Sequence, residues 1–229
     1  PDRTATMYTR AARVWKNSAI GFRRAFSDEY KRRSTTILCV RKGSKVVMIG
    51  DGQVSIGNII AKPNVTKLRL VDEGRVMTGV AGGTADAIAL LELLEGKLSE
   101  YPGQLKRACV EMTKDWRKDK YMRRYEAQLV VADSKLSLLL TGQGDVLEPH
   151  DNILAIGSGS QYAIAAARAL IDREDTSALD ISKTAMRIAA DICVFTNHNV
   201  IIHELDNIGD PSSPNDKGHQ SLLAKQENS

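Results

Sequence analysis

Two adjacent threonines, Thr35 and Thr36, follow Arg33 and Ser34 and open the first long apolar stretch of the chain. A threonine hydroxyl is a weak nucleophile, but a free α-amine on the same residue can act as its base. That amine has a pKa of about 7.7–8.0, well below the ~10.4 of a lysine side chain. Thr35 carries such an amine only if the chain is cut before it, so cleavage would activate it. The alternative is that the pair merely begins a strand, which threonine favours, and the dipeptide alone favours that alternative.

Other common catalytic patterns are missing from the sequence. None of the four histidines lies in an HExxH or serine-protease context, and there is no GxGxxG or P-loop. Gly157-Ser158-Gly159 lacks the glycine at position 156 that a nucleophile elbow needs, so a glycine-rich turn from strand to helix is the simpler interpretation. Three cysteines without a CxxC pattern indicate a reducing compartment and argue against a disulfide framework or a structural zinc site.

The elements that must position Thr35 are strands and paired helices. Alternating and β-branched runs predict strands over 35–41, 45–50, 67–71, 75–81, 128–133, 135–141, 145–148, 153–156 and 199–205. Apolar residues at spacings of three and four predict helices from Thr84, from Leu105, over 161–172 and over 177–196. Because the helices come in consecutive pairs rather than alternating with strands, we expect two antiparallel sheets stacked between two helix layers, an α+β fold.

The excess of basic over acidic residues is confined to the N-terminal segment. Of 32 Lys and Arg and 28 Asp and Glu, residues 1–34 hold nine basic and three acidic ones, which leaves a net charge of −2 over 35–229. An Arg-rich segment interleaved with apolar residues predicts a cleavable organelle-targeting peptide. A solvated basic tail and a nucleic-acid-binding arm are the alternatives, the latter without any accompanying binding motif.

The predicted domains are therefore the leader over 1–34, a folded domain of strands and paired helices over 35–205 and a disordered tail over 206–229. The tail is rich in Gly, Pro, Ser, Asn and Lys, a composition that rarely folds by itself. The longest run without charge, 152–167, is short for a membrane span and broken by glycine, so no membrane association is expected.

Seven motifs occur in order across residues 35 to about 205: TTILCVRKG, MIGDGQVSIGN, GVAGGTADA, KDWRKDK, TGQGDV, AIGSGS and DICVFTNH. Together they resemble the HslV (ClpQ) peptidase family, the proteasome-like component with an N-terminal threonine in an ATP-dependent protease. The resemblance implies a four-layer αββα sandwich of the N-terminal nucleophile hydrolase type, which cuts peptide bonds. It agrees with the element order, and it reverses the preference for a merely structural Thr35.

The resemblance also implies a catalytic set. Its nucleophile falls on Thr35, its lysine on Lys67, its aspartate on Asp51, its oxyanion glycine on Gly79 and its active-site serine on Ser158. A lysine ammonium near the hydroxyl would favour the alkoxide and keep the neighbouring amine neutral. The aspartate would hold the lysine, the glycine N–H would bind the oxyanion, and the serine would support the amine. A structural ion pair and a packing glycine are the alternative interpretations of these residues.

A monovalent cation, Na⁺ or K⁺, is implied at backbone carbonyls that fall on Ala190, Cys193 and Thr196, and no cofactor is implied for the chemistry. Ala190 replaces the glycine expected there, but carbonyl ligation does not depend on the side chain. A plain helix C-terminus is the alternative. The Lys-Pro-Asn stretch at 62–64 also departs from the family's glycine-containing loop.

Family members form two stacked hexameric rings with the active sites inside, capped by an HslU-type AAA+ ATPase hexamer. The resemblance therefore implies a homo-oligomer, unfolded proteins as substrates and no nucleic-acid partner. Arg33, two residues before Thr35, resembles the arginine of mitochondrial presequence cleavage, so the mitochondrial matrix is the expected location, with the cytoplasm otherwise. A non-catalytic ring subunit and a true proteasome β subunit remain as alternatives.

Overall fold

The computed structural model describes residues 35–120 and 127–208. The predicted leader over 1–34 lies outside these residues, as does the predicted tail from 209 onward. Within the two described ranges, no helix is long and apolar enough to cross a membrane.

Eleven strands and four α-helices make up the described residues. The strands are β1 (Thr36–Lys42), β2 (Lys45–Asp51), β3 (Val54–Ile56), β4 (Ile59–Lys62), β5 (Leu68–Val71), β6 (Val76–Ala81), β7 (Gln128–Ala132), β8 (Ser137–Thr141), β9 (Val146–Leu147), β10 (Ile153–Gly157) and β11 (Val200–Asp206). The helices are α1 (Thr84–Glu100), α2 (Leu105–Lys118), α3 (Ser160–Arg168) and α4 (Ala178–Ile192), and a short 3₁₀ turn spans Asp72–Gly74.

Two antiparallel sheets lie face to face between two helix layers, which confirms the predicted αββα sandwich. The first sheet has the order β10-β1-β2-β11 and the second the order β5-β6-β7-β8-β9. Helices α3 and α4 pack on the outer face of the first sheet, and α1 and α2 on that of the second. The hairpin β3–β4 pairs only with itself and was not predicted.

Strand β1 shows how the sequence builds this architecture. Successive side chains of a strand point to opposite faces. Ile37 and Cys39 face the core between the sheets, whereas Leu38 and Val40 face the helices. Because both faces of β1 are buried, its central residues are apolar without alternation. Thr36, its first residue, is buried as well.

The helices follow the predicted apolar faces but differ at their ends. Leu105, Cys109, Met112 and Trp116 are all buried on α2, as their spacing predicts. The N-cap of α1 is Gly83 rather than Thr84. Predicted ends at 172 and 196 lie too far along, because α3 stops at Arg168 and α4 at Ile192.

The folded domain extends past the predicted boundary at residue 205. Asp206, the last residue of β11, still pairs with Lys45 of β2, and Asn207 is fully buried. The Asn207 side chain accepts a hydrogen bond from the Arg41 guanidinium (2.6 Å) and donates one to the Gly43 carbonyl (2.8 Å). These contacts stabilise residues that composition alone assigned to the tail.

Candidate active site

Thr35 lies immediately before β1 and is almost fully buried at 6% exposure. Its carbonyl accepts hydrogen bonds from the backbone N–H of Ser158 (2.8 Å) and from the Ser158 hydroxyl (3.3 Å). Ser158 follows Gly157, whose φ of +91° suits glycine and whose missing side chain leaves room for the Thr35 carbonyl. The structure therefore brings Ser158 to Thr35, as predicted, but in contact with its carbonyl.

Asp51 and Lys67 form the buried ion pair that the sequence analysis placed beside Thr35. The Lys67 Nζ lies 2.7 Å from Asp51 Oδ1, and their side chains are 6% and 0% exposed. The same Oδ1 accepts the Thr36 N–H (2.7 Å), while Oδ2 accepts the Gln53 N–H (2.9 Å). One carboxylate thus fixes both the lysine and the residue that follows the threonine.

Burial lowers the pKa of Lys67 from its usual value, and the charge and hydrogen bond of Asp51 oppose that shift. The Asp51 contact keeps the charged form favourable, so the ammonium is available to stabilise a developing alkoxide.

A cavity of about 140 Å³ opens next to this pair. Thr35 and Lys67 line one part of it, and the rest is largely apolar: Val54, Val65, Val80, Ala87, Ile88 and Leu91, with Thr66, Arg69 and Gly82. Its walls come from the β3–β4 hairpin, the loop before β5, the end of β6 and helix α1. A largely apolar cavity of this size beside Thr35 is suited to hold one apolar side chain of a ligand.

Gly79 does not lie in the lining of this cavity. A Cβ at Gly79 would lie 2.8 Å from a methyl group of Ile37, so this glycine permits close packing between the sheets. The Val80 N–H donates to the Lys67 carbonyl, and successive N–H groups of a strand point to opposite sides. The Gly79 N–H is therefore directed towards β7, where Val130 is its register partner. The predicted oxyanion role does not fit this position.

Gly82 is the glycine that the structure places in the cavity lining with Thr35. It follows the last paired residue of β6 and has a φ of +141°, which favours glycine. The signal for it was present in the sequence, since the motif GVAGGTADA contains Gly82 and Gly83 as well as Gly79. Spacing alone did not show which glycine ends the strand.

A second cluster, also missed from the sequence, joins Thr36, Gly159 and Thr196. The hydroxyls of Thr36 and Thr196 lie 2.7 Å apart, and the Gly159 N–H donates to the Thr36 hydroxyl (2.9 Å). A Cβ at Gly159 would collide with both hydroxyls. The segment after α4 is thereby fixed to the residue that follows Thr35.

The three residues of the predicted cation site lie around the end of α4. Cys193 leaves the helix in an extended conformation, and its carbonyl accepts the Thr196 N–H (3.0 Å). Cys193 and Thr196 are buried, and Ala190 is half-buried. Carbonyl oxygens at a helix end can ligate a hard monovalent cation, but the Cys193 carbonyl already accepts a backbone N–H, so the cation site stays a prediction. Among the described residues there is no cluster of three or more His, Cys, Asp or Glu placed for metal binding.

Known proteins of the same fold are similar to this chain. The family model described as proteasome subunit matches residues 31–205. Eukaryotic HslV from Trypanosoma brucei is similar at 50% identity with a TM-score of 0.73, covering 75% of this chain and 99% of that one. Thiobacillus denitrificans BPH in complex with epoxomicin is similar at 18% identity (TM-score 0.63; 75% and 98% covered). BPH alone is similar at 17% identity (TM-score 0.62; 76% and 100% covered). The two BPH structures support the fold alone.

Proposed function

The chain belongs to the proteasome subunit family, and we propose that it is the threonine-type peptidase subunit of an HslUV-type ATP-dependent protease. The family membership rests on a match over residues 31–205. The finer assignment rests on the similarity to a eukaryotic HslV over nearly the whole of that chain. The observation that carries the chemistry is the placement of Thr35 and Lys67 in one cavity, with Asp51 paired to Lys67 in the protein interior.

The proposed reaction begins once Thr35 is the first residue. The Thr35 Oγ attacks the scissile carbonyl carbon, and its proton passes to the α-amine of the same residue. The oxyanion is stabilised by a backbone N–H, and we propose Gly82 for this role because it lines the cavity, which Gly79 does not. The intermediate collapses, the new amine terminus takes the proton and leaves, and an ester to Thr35 remains. Water hydrolyses the ester, which releases the acid and restores the hydroxyl.

The other residues hold this arrangement in place. Lys67 lowers the cost of negative charge on the Thr35 oxygen, and Asp51 keeps Lys67 oriented and charged. Ser158 fixes the Thr35 carbonyl, so the new N-terminus stays beside the cavity after cleavage. The apolar part of the cavity binds a substrate side chain and sets the register of the cut.

Replacement of Thr35 tests the function directly. We expect Thr35→Ala to abolish peptide hydrolysis while the fold and the oligomer persist, because alanine removes only the nucleophile. Intact-mass analysis of the protein from its native cell should show a chain that begins at Thr35. Retained turnover by the alanine variant, or a native chain that begins at or before Ser34, contradicts the assignment.

We also propose that the protein assembles as two stacked hexameric rings and works with an HslU-type AAA+ ATPase on unfolded polypeptides. Large exposed apolar side chains on the single chain support an oligomer, since such surface is normally covered in assemblies. They include Ile59 of β4 at 73% and Val194 after α4 at 79% exposure. The mitochondrial matrix remains our proposed location, on the basis of the basic composition of residues 1–34.

The carbonyls of Ala190, Cys193 and Thr196 are our proposed site for Na⁺ or K⁺. Such an ion would supply only a fixed positive charge at the end of α4. Thr196 also contacts the Thr36 hydroxyl, so an ion bound there would order the segment that borders the nucleophile.

A further inference from the structure

The side chain of Asn197, in the segment between α4 and β11, joins two separate parts of the active site. Its Nδ2 donates to the Pro63 carbonyl (2.8 Å), and its Oδ1 accepts the Gly52 N–H (3.3 Å). The Oδ1 also accepts the Asn199 N–H (3.2 Å). Two backbone donors on one side and a carbonyl acceptor on the other fix which way the amide points.

The contact between the two joined segments is unusually close. A Cβ at Gly52 would lie 2.8 Å from the Pro63 carbonyl oxygen, so only glycine allows this approach. The Gly52 carbonyl accepts the Val65 N–H (2.8 Å), and the Asn199 Nδ2 adds a second donor to the Pro63 carbonyl (3.2 Å). Hydrogen bonds from backbone and side-chain amide groups therefore hold the loop before Lys67 against the turn after Asp51.

These segments end at the two members of the buried ion pair. Gly52 is the residue after Asp51, and Pro63 lies four residues before Lys67. The separation of Asp51 and Lys67 thus depends on how the two segments are held. The proline at position 63 has no N–H of its own to offer, which leaves its carbonyl as the backbone group that the two asparagine amides hold.

We propose that Asn197 is a positioning residue of the peptidase, which sets the placement of Lys67 against Asp51 and Thr35 through its contacts to Gly52 and Pro63. Asn199 supports the same carbonyl. This inference rests on the proposed function, because it gives Asn197 a role in that reaction. Asn197 belongs to the motif DICVFTNH, which the cation site uses only up to Thr196.

Asn197→Asp is the sharpest test, because it keeps the acceptor for Gly52 and replaces the donor to Pro63 by an oxygen. In the assembled protein, we expect kcat for a fluorogenic peptide, per active site titrated with a threonine-directed covalent inhibitor, to fall about 10- to 100-fold. We expect KM to change by less than about twofold, since the apolar part of the cavity is untouched. The rate of inhibitor attachment should fall with kcat.

Asn152→Asp is the matched control. It adds the same charge at an exposed asparagine between β9 and β10, outside the cavity lining, and it should leave kcat unchanged. Its left-handed φ of +61° is one that aspartate also tolerates. Asn199→Ala, which removes only the second donor, is the milder variant and should lower kcat by a smaller factor. It keeps the proposal testable if Asn197→Asp does not assemble.

The outcomes separate the two claims. If Thr35→Ala is inactive but Asn197→Asp and Asn199→Ala match the parent protein in kcat, the positioning role is wrong and the peptidase assignment stands. If both variants lose only melting temperature or the number of titratable sites, with kcat per site unchanged, the asparagines are structural and the proposal is overturned. If Thr35→Ala retains full activity, the proposed function itself fails.

Discussion

At the scale of single residues, Asp51 lies at the centre of the candidate active site. Its two carboxylate oxygens accept hydrogen bonds from Lys67, Thr36 and Gln53 at 2.7–2.9 Å. A buried carboxylate needs this number of donors, because an unpaired charge away from water is costly. The same contacts place the lysine and the start of β1 relative to each other, so one side chain determines both the charge and the geometry.

We predict that the substitution Asp51→Asn shifts the pH dependence of activity. Burial lowers the pKa of Lys67, and the charge and hydrogen bond of Asp51 raise it. Without the carboxylate charge, the pKa of Lys67 falls further, and the ammonium is lost at a lower pH. We therefore expect the high-pH limb of kcat/KM to move to lower pH, and the maximum to fall about 100-fold or more through misplacement of Lys67.

Full pH–rate profiles of the parent protein and Asp51→Asn measure this shift. Lys67→Arg serves as the companion variant, because arginine stays charged at all accessible pH values. If the limb belongs to Lys67, it should disappear in that variant, whatever activity remains. An Asp51→Asn profile whose high-pH limb stays in place, or moves to higher pH, would show that another group controls it.

At the scale of elements, the turn from β10 to α3 holds the beginning of β1. The Ser158 N–H donates a hydrogen bond to the Thr35 carbonyl, and the Gly159 N–H donates one to the Thr36 hydroxyl. Both glycines of the turn lie where a side chain would collide with Thr35 or Thr36. The glycines of Gly157-Ser158-Gly159 therefore allow the turn to lie close to Thr35 and Thr36, and they do not indicate a flexible linker.

Gly159→Ala tests this close approach. The added Cβ would collide with the hydroxyls of Thr36 and Thr196, so we expect a loss of about 1–3 kcal/mol in stability through overpacking. Peptide hydrolysis should also fall, because the turn that holds Thr35 must move. The midpoint of chemical unfolding and the initial rate of hydrolysis measure the two effects.

Gly96→Ala is the matched control, because Gly96 lies inside α1 and a Cβ there would meet no neighbour within 4 Å. Alanine is the better helix former, so this change should raise stability by about 0.5–1 kcal/mol and leave hydrolysis unchanged. Equal effects of the two substitutions would show that the turn at Gly159 is not tightly packed.

Most elements could be predicted from the sequence, because buried strands and amphipathic helices have clear periods. Some features could not, and two of them show the reason. The β3–β4 hairpin has strands of three and four residues that join neither sheet, so its sequence lacks the pattern of a half-buried sheet. The end of α4 at Ile192 depends on distant contacts, in which Thr196 meets Thr36 and Val194 meets Gln53.

For the candidate active site, the sequence predicted some of the neighbouring residues and missed others. Thr35, Asp51, Lys67 and Ser158 meet in the structure, although they are spread over more than a hundred residues of sequence. Gly79 was misplaced because three glycines lie within five residues, and only the strand register shows that Gly82 is the one beside the cavity. Asn197 was missed because side-chain contacts to a distant backbone leave no periodic signal.

At the scale of the whole molecule, the two sheets are tied together at the end of the sandwich away from Thr35. The Arg41 guanidinium, only 5% exposed, donates to the carbonyls of Asp133 (2.7 Å) and Ser134 (3.1 Å) between β7 and β8. It also donates to Asn207 (2.6 Å), the residue after β11. One cation thereby joins β1, the second sheet and the end of the folded chain.

Asn207→Ala tests how much this connection contributes. The change removes the Arg41 acceptor at 2.6 Å, which is in the interior, and the donor to the Gly43 carbonyl at 2.8 Å, which is partly buried. A buried polar group that loses its partner costs about 1–3 kcal/mol, so the melting temperature at fixed protein concentration should fall. Asn207→Asp keeps the acceptor and should lose less stability.

The same two variants should leave the hydrolysis rate per titrated site unchanged. Since β1 is seven residues long and each residue rises about 3.3 Å, Thr35 lies roughly 20 Å from this connection. A fall in that rate would mean that the connection at Arg41 also controls the placement of the nucleophile, and an unchanged melting temperature would mean that Arg41 is held by the second sheet alone.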